Sequence, residues 1–238
     1  MHKFFLLFLL TAMAACAPTK SNYYVVPQPS YDSDEIAYVP NPVIIPPKIK
    51  PKLIVIDPGH GGEDAGTKSL IKPFYQEKFL TLATSRFLSD YLRQMGYETK
   101  MTRNEDVFIP LSDRAIKANQ IDPALFVSVH YNSAPSKEAK GIEVFYYQAD
   151  ENVSRTQSSK ELAALVLDSL INTTQAKSRG VKKGNFAVIR ETKMPAILVE
   201  GGFLTNQEEM DLIKDPVYLK KLAWGIAIGV DKYLKKSK

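Results

Sequence analysis

Cysteine and histidine are both scarce in this chain of 238 residues, which has one of the first and three of the second. The single cysteine, Cys16, has no partner for a disulfide and offers no set of thiolates, so any metal would have to sit on imidazole and carboxylate. His2 falls in a segment expected to be removed, which leaves only His60 and His130. The apolar run Phe4 to Leu10 falls far short of the roughly 20 residues that a bilayer span needs. Nucleotide-binding glycine patterns are missing too. Gly59-x-Gly61 is followed by Asp64 where a third glycine would stand, and no Gly-Lys-Ser/Thr occurs. A basic stripe with interleaved aromatics is also absent. The net charge of +5 is spread along the chain and clusters only from Lys232 to Lys238, where lysines suit a helix C-terminus better than a nucleic acid.

The first fifty residues read as targeting and spacing. Met1-His2-Lys3, the short apolar core and Thr11-Ala12-Met13-Ala14-Ala15-Cys16 have the layout of a secretory signal. Small residues running directly into the only cysteine resemble a bacterial lipobox, so residues 1–15 are expected to be a lipoprotein signal peptide and Cys16 the lipidated residue. The alternative is an ordinary signal cleaved near Ala15. Residues 17–51 hold eight of the fifteen prolines with scattered Tyr, Ser and Asp, the composition of an extended linker. Ala17 rather than Asp after the cysteine points to the periplasmic face of the outer membrane, if the host is Gram-negative. The folded domain is expected from Lys52 to Lys238 and to act as a monomer.

Within that domain, strands alternate with helices. Leu53–Asp57 and Ala124–His130 are continuous apolar runs, as strands buried on both faces are. Gln76–Met95 has helical apolar spacing with Gly96 as its stop. Tyr97–Thr102, Ile142–Tyr147, Phe186–Arg190 and Ala196–Glu200 read as further strands. Helices are expected from a Ser112 cap through about Asn119, from Ser158 to about Asn172 and from Pro216 to Leu234. The fold expected is a single three-layer α/β domain: a mostly parallel or mixed twisted sheet of about six strands, with helices on both faces.

Three apolar strands end in groups competent for metal binding or proton transfer: Leu53–Asp57 leads to His60, Ala124–Val129 to His130, and Ala196–Val199 to Glu200. Ligands bind at such carboxyl ends in open α/β sheets. Glycines around His60 leave the backbone bare, as close substrate approach would require, although a lone turn histidine often only bonds its own loop. A polar ring at His130, after a wholly apolar strand, is costly unless paired or ligated. A catalytic zinc usually takes three protein ligands, His₂Glu being one set. Glu77, at the start of the long helix and on its apolar side, is the third candidate. Its helix position alone is better met by a carboxylate placed for the helix dipole. Glu200 could act as a general base toward metal-bound water, or be a strand-end carboxylate paired with a cation.

The stretches Ile56-Asp57-Pro58-Gly59-His60-Gly61-Gly62-Glu63-Asp64-Ala65-Gly66, Glu77, Met101-Thr102-Arg103, Arg114-Ala115 to Asn119, Phe126 to Ser133 and Ile197 to Asn206 resemble the zinc-dependent N-acetylmuramoyl-L-alanine amidases that process peptidoglycan. The resemblance runs from about Lys52 to Leu234. It implies Zn²⁺ on His60, Glu77 and His130, Glu200 as the catalytic carboxylate, and hydrolysis of the amide between the lactyl group of N-acetylmuramic acid and L-alanine of the stem peptide, in wall remodelling or division. It also suggests a substrate groove at Asn132, Gly141, Asn185 and Phe186, while Tyr131 and Ser133 depart from the small or acidic residues of some relatives beside the last histidine, a difference expected to alter peptide preference. In division amidases of this family, a helix inserted after the fourth strand can plug the metal site until an activator binds. Here only Gln148 to Gln157 separate the expected strand and helix, too few for such a plug. Two rivals remain: a non-catalytic peptidoglycan-binding lipoprotein, and a penicillin-binding serine activity at Ser69-x-x-Lys72, whose companion elements are missing.

Overall fold

A computed structural model describes residues 51–149 and 153–236, so the expectations for the signal segment, for Cys16 and for nearly all of the linker lie outside the described residues. The chain runs β1 (Leu53–Pro58), α1 (Glu77–Gln94), β2 (Glu98–Met101), α2 (Leu111–Gln120), β3 (Leu125–Asn132), β4 (Ile142–Tyr146), α3 (Val153–Thr174), β5 (Ser178–Lys183), α4 (Ala187–Arg190), β6 (Ala196–Phe203), α5 (Gln207–Ile213) and α6 (Pro216–Lys236). The six strands form one sheet in the order β2-β1-β3-β6-β4-β5. Strands β2, β1, β3 and β6 are mutually parallel, β4 and β5 are parallel to each other, and β4 joins β6 antiparallel. The expected three-layer α/β domain is therefore present, with a mixed sheet.

Its two faces are unequal. Helices α1, α3 and α6 cover the larger core, where Leu80, Leu88 and Leu92 meet Ile54, Ile56 and Val127. Helices α2 and α4 cover the other face, where Ala118, Val188 and Ile189 meet Val55, Phe126 and Leu198. Central strands buried on both sides need apolar residues at every position, which is why β1, β3 and β6 were legible as continuous runs.

Several boundaries differ from expectation. Phe186–Arg190 is not a strand: Ala187–Arg190 is one helical turn, which lets the adjacent Val188 and Ile189 both bury against the sheet. The sixth strand is instead β5, Ser-Arg-Gly-Val-Lys-Lys, an edge strand whose charged residues hide the alternating pattern and suit an unpaired edge. Helix α3 starts at Val153, five residues before the expected Ser158. The side chain of Arg155 ties that first turn to the carbonyls of Ile189 and Met194. Helix α5 has no counterpart in the expected elements. Ser112 lies inside α2, whose N-cap is Pro110, without a side-chain cap.

Helices α3 and α6 approach closely. A Cβ on Gly229 would lie 2.4 Å from the Cα of Val166, and one on Gly225 would lie 2.9 Å from the Cα of Leu170. Backbone cannot yield there as a side-chain tip could. Gly229→Ala should therefore destabilise the domain by about 1–3 kcal/mol, read as a lower denaturant midpoint; an unchanged midpoint would contradict this packing.

Candidate metal centre

Because β1, β3 and β6 are parallel, their carboxyl ends share one edge of the sheet, and the candidate groups gather there. His60 lies just beyond β1 with φ of +60°, a left-handed conformation that costs a non-glycine residue on the order of 1–3 kcal/mol. Two buried arginines hold this turn from behind. Arg114 donates to the carbonyls of Pro58 and His60, each at 2.7 Å, and Arg103 donates to those of Pro58 at 3.0 Å and Gly59 at 2.7 Å. Arg114 also pairs at 3.0 Å with the buried Asp57, which accepts from Thr102 Oγ1 at 2.6 Å and Ser128 Oγ at 2.8 Å.

The three expected ligands meet at a point. Glu77 Oε1 lies 3.0 Å from His60 Nε2 and 3.0 Å from His130 Nδ1, and it accepts from the Tyr131 N–H at 3.0 Å. Its other oxygen accepts from the Thr67 N–H at 2.9 Å. The donor atoms of His60, Glu77 and His130 all lie within 4.8 Å of one another. Donors around a tetrahedral zinc stand roughly 3.3 Å apart, given bonds near 2.0–2.1 Å, so the set fits such an ion without rebuilding the backbone. The second ring nitrogen of His60 lies 2.8 Å from Asp64 Oδ2, the outer carboxylate that fixes a ligand imidazole's tautomer and orientation.

Glycine around the site serves the ligands themselves. A Cβ on Gly66, whose φ is +63°, would lie 2.6 Å from both Glu77 Oε2 and His60 Cδ2, and one on Gly59 would lie 2.2 Å from the His130 ring. The bare backbone expected to admit substrate is thus filled by ligand side chains.

Electrostatics separate the two key carboxylates. Burial pushes the Glu77 carboxyl up, but hydrogen bonds and charge from the two imidazoles outweigh it and hold the group at about 2, so it is ionised. Burial depresses His60, and the Glu77 and Asp64 carboxylates more than reverse this. Glu200 is raised well above the ordinary carboxylate range, by burial first and then by the negative charges of Glu77 and Glu143. Its Oε2 is buried without a hydrogen-bond partner. Contrary to expectation, neither His130 nor Glu200 ends its strand, because β3 continues to Asn132 and β6 to Phe203. They are partners in register on neighbouring parallel strands, and Glu143 of β4 pairs with Glu200 on its other side. One row across the sheet therefore reads His130, Glu200, Glu143.

The expected substrate residues are divided. Asn132 stands beside this row and donates to Glu143 at 2.6 Å. The N–H of Gly141 is taken by Glu209 at 2.8 Å, Asn185 is bonded to Arg190 at 2.8 Å, and the exposed Phe186 meets Phe145 edge-on at 5.1 Å. Tyr131 cannot touch substrate: its side chain is in the core, with its hydroxyl 2.7 Å from Thr84 Oγ1. Ser133 is exposed. Ser69 is buried and clips its own loop, accepting from the Tyr75 N–H at 2.8 Å, while Lys72 sits over the Phe74 ring. Asp57, Asp64, Arg103 and Glu143 gained no role from sequence, since spacing cannot tell a buried cation or carboxylate from a solvated one.

Comparison with known proteins identifies the family. The family described as N-acetylmuramoyl-L-alanine amidase, Amidase_3, matches residues 54–232. The uncharacterized protein YqiI of Bacillus subtilis is 36% identical over 185 residues, 78% of this chain and 86% of that one. The probable cell wall amidase LytH of Staphylococcus saprophyticus is 32% identical over 185 residues, covering 78% of this chain but only 59% of the relative. The chain thus spans about three fifths of that relative's length. Among solved structures, the N-acetylmuramoyl-L-alanine amidase from Clostridium difficile 630 superposes with a TM-score of 0.74 at 38% identity, covering 79% of this chain and 99% of the other.

Two outcomes follow from the site. Asp64→Ala leaves all three donors in place, so it should weaken divalent metal binding about 10–100-fold, whereas His60→Ala, Glu77→Ala and His130→Ala should abolish stoichiometric binding. Metal content after dialysis decides between them, and full occupancy in Glu77→Ala would return that residue to a helix-dipole role. Arg114→Met strands the buried Asp57 charge and should cost about 3–5 kcal/mol of stability, measured by denaturant unfolding of the metal-free protein.

Proposed function

The chain belongs to the N-acetylmuramoyl-L-alanine amidase family, and from that premise we propose that it is a zinc-dependent peptidoglycan hydrolase. The bond cut is the amide between the lactyl group of N-acetylmuramic acid and L-alanine of the stem peptide, in wall remodelling or division. The observation that carries this reading is the convergence of His60, Glu77 and His130 on one point, with the unpartnered Glu200 oxygen on the adjacent strand.

His60, Glu77 and His130 would hold the zinc ion, which would supply Lewis-acid activation of the scissile carbonyl and of water. The remaining work belongs to the chain. Asp64 orients the His60 ring, and the Tyr131 and Thr67 N–H groups fix the Glu77 carboxylate. One oxygen of the part-buried Glu200 is enclosed without a partner, and burial and the nearby negative charges of Glu77 and Glu143 raise its proton affinity above that of an ordinary carboxylate. Such a group takes the proton of the attacking water and returns it to the leaving nitrogen of L-alanine. A purely structural wall-binding role would leave that buried, unpaired carboxylate without a purpose. The Ser69 clip likewise offers no nucleophile to a β-lactam.

The connection from β4 to α3 is residues 147–152 only, and Ala149 is tied by hydrogen bonds to Thr156 of α3. Asp150 and Glu151 lie outside the described residues. With no room for a plugging helix, the metal cleft works without an activator. The protein acts as a monomer, held by lipid on Cys16 at the periplasmic face of the outer membrane, with the proline-rich linker extending the domain toward the wall.

Three measurements test this. Glu200→Gln keeps the shape of the side chain and loses its basic oxygen, so it should retain zinc and lose nearly all release of stem peptides from purified peptidoglycan; substantial activity would remove Glu200 from the mechanism. Residues 52–238 alone, zinc-loaded, should hydrolyse peptidoglycan at a rate a second protein barely changes, and silence until a partner is added would refute the open cleft. Cys16→Ala should leave the membrane fraction; a correctly processed mutant that still sediments with membranes would contradict the anchor.

A further inference from the structure

One charged cluster beside the row His130, Glu200, Glu143 is not used by the chemistry above. Arg179 and Lys182 of β5 both reach back over β4 to the same oxygen of Glu143, at 2.7 and 2.5 Å, while its other oxygen accepts from Asn132 at 2.6 Å. Two cations face one carboxylate oxygen of Glu143, and Arg179 also lies in the field of Glu209. The Glu143 side chain is only 5% exposed, but those of Arg179 and Lys182 are 30% and 39% exposed, so the cationic groups are presented to solvent. They are also held in place. The Arg179 guanidinium lies 4.8 Å over the Phe203 ring, and Lys182 Nζ lies 6.0 Å over Phe145, which is braced by Phe186.

The position relative to the chemistry is set by the sheet. Glu143 and Glu200 are direct partners across an antiparallel pair, and adjacent strands stand about 4.8 Å apart. The cations therefore stand one to two strand spacings, roughly 5–10 Å, from the Glu200 strand. In a stem peptide the first free carboxylate beyond L-alanine is the α-carboxylate of the γ-linked glutamate at the second residue, about 7 Å of extended chain away. We infer that Arg179 and Lys182 are the docking point for this second-residue carboxylate, so that the site distinguishes acidic stem peptides from those amidated there. This inference rests on the amidase reading. It adds a specificity determinant on an edge strand that supplies no metal ligand.

The test uses two synthetic muramyl peptides that differ only in carrying a free acid or a primary amide at that position, with kcat/KM measured for the zinc-loaded full chain. The wild type should favour the acid about tenfold, the worth of one charge-assisted hydrogen bond. Lys182→Gln should bring the ratio to about twofold or less, and Lys182→Arg should restore it. A wild-type ratio near one overturns the docking point and leaves the amidase reading intact. Equal losses on both substrates in Lys182→Gln also overturn it, because that pattern belongs to a structural support of Glu143. Cleavage of neither substrate overturns the amidase reading, and the docking point falls with it.

Discussion

A carboxylate buried at the dry end of a sheet is the constraint on which the rest of this domain depends. Glu77 is 3% exposed, and an ionised group so placed costs several kcal/mol unless every lone pair is met. It is met by parts of the chain far apart in sequence: His60 after β1, Thr67 in the following loop, and His130 with the Tyr131 N–H in β3. The loop from Gly59 to Gln76, the first turn of α1 and the carboxyl end of β3 are fixed to one another by that single side chain. A cation bound there would replace imidazole contacts that already point at the same spot.

The backbone beneath is stiffened by opposite charge. His60 could not keep a left-handed φ if its neighbours were free to relax, and the carbonyls of residues 58 to 60 are all occupied by Arg103 or Arg114. Asp57 neutralises Arg114 and is itself satisfied by Thr102 and Ser128. Every member of this buried polar network has a partner, the condition under which such a network rigidifies a structure instead of weakening it. The strain at His60 is thus balanced one layer away from the chemistry.

The sheet then sorts the roles. Parallel β1, β3 and β6 deliver His60, His130 and Glu200 to one edge, as parallel strands must when their helices return the chain to the same starting side. The antiparallel β4 runs the other way, and its register sets Glu143 beside Glu200. A carboxylate oxygen without a partner and a carboxylate neutralised by two cations stand side by side, so burial and negative charge raise Glu200 while the cations hold Glu143 below the ordinary carboxylate range.

The sequence by itself determined the elements whose burial pattern is local. Continuous apolar runs marked β1, β3 and β6, helical spacing marked α1 and α6, and the groups at the ends of those runs marked His60, His130 and Glu200. Tertiary structure alone decided the rest. Ser178 to Lys183 became a strand because a charged edge needs no apolar alternation. Ala187 to Arg190 became a helical turn because only a turn buries Val188 and Ile189 together. Glu77 fits a helix dipole better than a metal when read along the chain, and only the arrival of two imidazoles from other elements at 3.0 Å points the other way. Arg103, Arg114 and Glu143 are ordinary charged residues by spacing, and the energy that defines them arises from what surrounds them once the chain is folded.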